Sequence, residues 1–144
     1  MLKNIPKLVS PQLLKVLCEM GHGDEIVLAD GNFPVESMGK NAVVVRADGH
    51  GVAELLDAVL GLIPLDQYVR QPAALMDIVP GDACVPVIWD EYKAALARRG
   101  EDANAVEMME RFAFYERAKK AYAIVATGES AIYANILLKK GVVK

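Results

Sequence analysis

Residues 21–34 read GHGDEIVLADGNFP. A histidine sits between two glycines, two acids follow, and the apolar run Ile26-Val27-Leu28 leads to Asp30 and a Gly-Asn-Phe-Pro turn. The run is short, β-branched and bounded by acids and glycine. It predicts a buried strand over residues 25–29, of the kind found in sheets covered on both faces. Asp30 then ends the strand, and His22 stands before its entry.

The chain before this stretch predicts a helix over residues 11–20. Ser10 is placed as its N-cap, Pro11 occupies the first helical position, and Leu13, Leu14, Val16, Leu17 and Met20 make one apolar face. Gly21 fits the C-cap position of such a helix. Cys18 lies on this helix and is expected to be a buried free thiol. Residues 31–41 hold Gly31, Pro34, Gly39 and Asn41, which is loop chemistry.

Further along, Val43 to Val45 predicts a second strand. Gly51 opens a helix whose apolar face is Val52, Leu55, Leu56, Val59 and Leu60. Residues 64–72, PLDQYVRQP, are bracketed by prolines and read as a loop or sheet edge. Ala74 to Val79 predicts a strand, and Pro86 begins a helix that ends at Gly100. Residues 101–107 are polar and receive no element. Arg111 to Lys120 predicts a helix with Phe112, Tyr115 and Ala118 inward. Tyr122 to Ala126 predicts a strand, and Tyr133 to Leu138 is a last apolar run. Helices and buried strands alternate. The fold class is therefore α/β, a single domain over residues 1–144 with three layers and helices on both faces of a central sheet.

Composition narrows the function. The net charge is −3 and the pI is near 5.4, which argues against a nucleic-acid partner. No segment approaches 18 consecutive apolar residues, so no membrane span is expected. No signal-peptide pattern opens the chain, so a cytoplasmic location is expected. Hydrophobic residues make up 53% of the chain, high for a small monomer, which predicts apolar surface covered by copies of itself. The glycines form no dinucleotide or phosphate-binding pattern. The two cysteines and two histidines have no metal-ligand spacing, so neither metal nor cofactor is expected.

Four places carry candidate chemistry. His22 can exchange a proton near neutral pH, or it simply caps a helix end. Asp30, at the end of a buried strand, needs pairing or a solvated cleft. It serves as a base, orients a histidine or binds hydroxyls, or it is an Asx-turn residue. Arg111 sits at the unfavourable end of its helix for a cation, held there for a ligand or merely exposed. Tyr133 and Asn135 open the last apolar run and either present polar groups to a ligand or pack on the core.

GHGDEIVLADGNFP, VRADG, RFAFYERAKKAYAIVATGE and YANILLKKGV occur in this order and cover well over half the chain. Together they resemble the fucose mutarotase and ribose pyranase family. Arg111, in the RFAFYERA block, places the chain nearer the L-fucose branch, since the ribose branch tends to carry histidine there. The resemblance implies a cofactor-free isomerase acting on a free monosaccharide, with α and β anomers of L-fucose interconverted by ring opening and closure. Ribose pyranase activity, or sugar binding without catalysis, are the alternatives. It further implies that His22 is the catalytic proton donor, and that Asp30, Arg111 and the segment Tyr133, Ala134 and Asn135 contact the sugar. Members form ring-shaped homo-oligomers, often decamers, with active sites near subunit contacts.

Overall fold

The computed structural model describes residues 1–144. Its elements are α1 (Pro11–Glu19), β1 (Glu25–Ala29), α2 (Val35–Met38), β2 (Val43–Ala47), α3 (Val52–Leu60), β3 (Ala73–Met76), α4 (Ile88–Arg98), β4 (Val106–Met109), α5 (Arg111–Ala118), β5 (Ala123–Thr127) and β6 (Ile136–Lys139). The six strands form one sheet in the order β2-β5-β1-β6-β3-β4. β6 runs antiparallel to both its neighbours, β1 and β3, and the other pairings are parallel.

The sheet has a helical layer on each face, as the alternation of elements predicts. Along β1, Ile26 and Leu28 face a core shared with Leu13, Leu56 and Leu96 of α1, α3 and α4. Val27 and Ala29 face the other side, against Val35 of α2 and Phe114 and Ala118 of α5. This is the period-two reading of a strand buried on both faces. Ser10 caps α1 as expected, its Oγ accepting the Leu13 N–H at 3.1 Å.

Several elements differ from the sequence reading. Gly21 is not the left-handed cap of α1. The helix closes at Met20 in extended backbone, and the positive φ, +87°, belongs to Gly23. Cys18 is exposed, because it lies outside the stripe of Leu13, Val16 and Leu17. The loop after Asp30 contains the short α2. Strand β3 stops at Met76, where Asp77 makes the last main-chain bond to Met109 and then turns onto Ile78. The polar stretch leads into β4, an edge strand paired on one side only, so its Glu107 and half-exposed Met108 hid its character. On α5 the inward aromatic is Phe114, and Phe112 is 66% exposed.

Tight backbone crossings set where the strand ends lie. A Cβ on Gly128, just past β5, would collide with the Asp48 carbonyl oxygen, while the Gly128 N–H donates to His50 O at 3.0 Å. Overpacking of this kind costs about 1–3 kcal/mol. Gly128→Ala is therefore expected to lower the urea midpoint with an unchanged slope, as followed by circular dichroism.

Candidate active site

The carboxyl ends of β1, β3 and β4 share one edge of the sheet. Because β6 is antiparallel, its amino end lies on that same edge. This brings Asp30, which follows β1, beside Asn135, which precedes β6. The Asp30 N–H donates to Asn135 Oδ1 at 2.8 Å, and the Asn135 side chain beside the carboxyl favours its charged form. Asp30 Oδ1 also accepts the Asn32 N–H at 3.0 Å, so the Asx-turn role is present as well. Both side chains are buried. Burial pushes the Asp30 carboxyl up from its ordinary range, and the N–H groups of Asn32, Ala134 and Phe33 pull it back.

A cleft of about 280 Å³ opens beside this pair and is lined by Asp30, Asn135, Tyr133, Arg111, Tyr115 and Asp82. That volume falls just below the range of drug-sized ligand sites, roughly 300 to 1,000 Å³. Arg111, the first residue of α5, donates to Tyr115 Oη at 3.2 Å. Its guanidinium lies 5.5 Å from the Phe112 ring and 5.4 Å from the Tyr115 ring. Stacked on aromatics rather than paired with a carboxylate, its planar donors are left for a ligand.

Tyr133 holds a left-handed backbone, φ +58°, a conformation that costs a non-glycine residue energy. Helix α4 holds it there. Trp89 Nε1 donates to the Tyr133 carbonyl at 2.7 Å, and Tyr92 Oη donates to the Ala134 carbonyl at 2.6 Å. The Tyr133 phenol donates to Asp82 Oδ2 at 2.6 Å. That carboxylate pushes the phenol up from its ordinary range. Asp82, Trp89 and Tyr92 were not singled out from sequence. Trp89 and Tyr92 lie three apart on one face of α4, and Tyr92 is buried, with its hydroxyl bonded to the Ala134 carbonyl.

His22 is not in this cleft. It precedes β1, on the opposite edge of the sheet, and Asp30 follows β1. Five residues of strand span roughly 17 Å, so Asp30 does not orient His22. Asp66 does: its Oδ1 lies 3.0 Å from His22 Nε2. Asp66 falls in the proline-bracketed loop to which the sequence reading gave no chemistry. The second histidine, His50, pairs with Glu54 at 3.0 Å on the surface. No three or more His, Cys, Asp or Glu side chains converge as a metal site would need.

A family model described as RbsD / FucU transport protein family matches residues 3–143. The chain belongs to this family. Relatives of this RbsD / FucU chain include the fucose mutarotase of Danio rerio, 55% identical over 99% of this chain and 94% of that protein. The L-fucose mutarotase of Actinobacillus pleuropneumoniae is 54% identical over 99% of this chain and 97% of that protein. Among solved structures, FucU from Bifidobacterium longum matches with a TM-score of 0.95 and 59% identity, over 99% of this chain and 100% of that one. The fucose mutarotase of Streptococcus pneumoniae, crystallised in complex with L-fucose, matches with a TM-score of 0.95 and 53% identity over the same shares. RbsD from Bacillus subtilis, complexed with D-ribose, is 20% identical with a TM-score of 0.73, a likeness of fold.

The clamp from α4 makes a prediction for this RbsD / FucU site. Tyr92→Phe leaves the Ala134 carbonyl without its buried donor, which costs about 1–3 kcal/mol. A lower midpoint in urea unfolding is expected, together with sharper loss of amide-exchange protection over residues 133–135 than over β5.

Proposed function

We propose that this protein is an L-fucose mutarotase, equilibrating the α and β anomers of the free sugar without a cofactor. The observation that carries this reading is the convergence of Asp30, Arg111, Tyr133 and Asn135 on one small cleft, in a chain with full-length likeness to proteins named fucose mutarotase. In this reading residues 1–144 act as one domain. Asp30, Asn135 and the Tyr133–Ala134 backbone hold sugar hydroxyls, and Arg111 fixes another. His22 delivers a proton to the ring oxygen as the anomeric hydroxyl loses its own, and closure on either face of the carbonyl gives the two anomers. The Tyr133 phenol donates to Asp82 and accepts the Val79 N–H, so it is a positioning group, and water takes the anomeric proton.

His22 and the cleft lie on opposite edges of the sheet, so one chain cannot bring them together. We propose that a neighbouring copy supplies the histidine. Such a contact joins two different surfaces, and repeated contacts of this kind close into rings. Exposed apolar residues favour it: Tyr68 at 69% beside His22, and Phe112 at 66% and Ile132 at 50% at the cleft. A ring, stacked as a decamer, is the assembly this reading expects. Two free cysteines suit a reducing compartment, and a cytoplasmic location goes with the proposal. No helix is long and apolar enough to cross a membrane.

Saturation-transfer NMR on L-fucose tests the activity. Faster anomer exchange with protein than in buffer is expected, and exchange on ribose should be slower. Unchanged exchange with measurable fucose binding would turn the reading to a sugar-binding protein. His22→Ala is expected to slow exchange about 10²–10⁴-fold. Arg111→Ala should act mainly on KM. Mixing the His22→Ala and Arg111→Ala variants after reversible dissociation, assayed at fucose well below the raised KM where each alone is slow, is expected to restore part of the activity, since some shared sites then combine an intact histidine with an intact cleft. No recovery would confine each site to one chain.

A further inference from the structure

We infer that Asp66 is the positioning residue of His22, fixing the imidazole through Nε2 so that Nδ1 is the nitrogen that exchanges the proton. This rests on the mutarotase reading above.

The geometry comes from the far end of β6. Past Lys139 the chain continues between two loops. On one side Gly23 N–H donates to Lys140 O at 2.9 Å, and Lys140 N–H donates to Asp24 O at 2.9 Å. On the other side Asp66 N–H donates to Lys139 O at 3.0 Å, and Gly141 N–H donates to Pro64 O at 2.8 Å. The loop bearing His22 and the loop bearing Asp66 are thus fastened to the same two or three residues from opposite sides. Their side chains meet across that strand at 3.0 Å. Neither loop can drift without breaking main-chain bonds.

The burial is asymmetric. The His22 side chain is 47% exposed and that of Asp66 only 5%. A buried carboxylate is costly unless its oxygens are occupied. Asp66 Oδ1 accepts the Tyr68 N–H at 3.0 Å as well as facing Nε2. The Tyr68 N–H first, and His22 after it, hold the Asp66 carboxyl below its usual range. A histidine whose one nitrogen is bound to a fixed anion presents the other in a defined direction and tautomer. The Tyr68 ring lies beside the imidazole, 5.5 Å between ring centroids.

The other charges near this loop are engaged elsewhere. The Asp24 carboxylate accepts the Gly21 N–H at 2.7 Å. The Lys140 ammonium donates to the carbonyls of Leu17 and Met20 at the end of α1. Lys139 lies 3.9 Å from Glu25, and Lys144 lies over the Tyr68 ring. Asp66 is the group that faces the imidazole directly.

During ring opening the Nδ1–H bond breaks and its proton joins the ring oxygen. That oxygen leaves C1 with the bonding pair, while the anomeric hydroxyl gives its proton to water and becomes the carbonyl. The imidazole is left neutral, with Nε2–H still on Asp66. Closure reverses each transfer.

The test pairs ¹⁵N NMR of the imidazole with exchange kinetics on the full-length protein. Neutral His22 is expected to carry its proton on Nε2 in the wild type, and to show mixed tautomers in Asp66→Ala. For that variant kcat should fall about 10- to 100-fold, by analogy with the partners that orient metal-bound histidines, with KM within twofold. Asp66→Asn keeps an oxygen for the Tyr68 N–H but loses the charge, and serves if the alanine variant does not fold. Its kcat should also fall at least tenfold. A wild-type His22 protonated on Nδ1 would overturn the assignment. So would either variant, folded, with kcat within twofold of wild type. If the wild type itself fails to speed fucose exchange, the mutarotase reading falls, and the imidazole spectra still decide what Asp66 does.

Discussion

One reversed strand organises this molecule. β6 lies antiparallel between β1 and β3 in an otherwise parallel sheet. In a fully parallel sheet its amino end would sit with the entries of the other strands. Reversed, it carries Tyr133, Ala134 and Asn135 to the edge where β1, β3 and β4 end. Ligands of α/β sheets gather at that edge, so one inversion supplies a cleft wall that no loop after β1 or β3 makes alone. The opposite end of the same strand anchors the His22 and Asp66 loops. Both loops and the cleft wall are therefore referenced to one short strand whose Ile136, Leu137 and Leu138 are buried.

The strength of that reference is hydrogen bonding with little freedom around it. The Asp30 N–H bonds Asn135 Oδ1 across the β1–β6 seam. Helix α4 then holds the carbonyls of residues 133 and 134 from the other side. The unfavourable φ of Tyr133 persists because these bonds overdetermine it, and such strain collects where a protein preorganises a site.

Much of this was legible in the chain. β1 was readable to the residue, since five residues between acids and glycine leave no other element. The Ser10 N-cap of α1 and the apolar faces of α1 and α3 were equally plain, and the resemblance named Asp30, Arg111, Tyr133 and Asn135 but not Asp82 or Tyr115 of the cleft. Direction was not legible. Periodicity says that Tyr133 to Leu138 is buried, but a strand buried on both faces looks the same in either sense. The edge strand β4 was hidden for the complementary reason, because a half-paired strand with a glutamate and two methionines has no clear alternation. Asp66 was hidden because its partner is 44 residues away and the two meet only through β6. The spacing of His22 and Asp30 did carry one true warning, that a strand's length stands between them.

That separation has a genetic consequence. If each chain lends its histidine to one neighbour and its cleft to another, a chain defective in both spoils two sites in the ring it enters. Co-expression of a damaged allele with a sound one would then depress activity beyond its share of the pool. A chain lacking only the histidine would spoil one site and leave its own cleft usable.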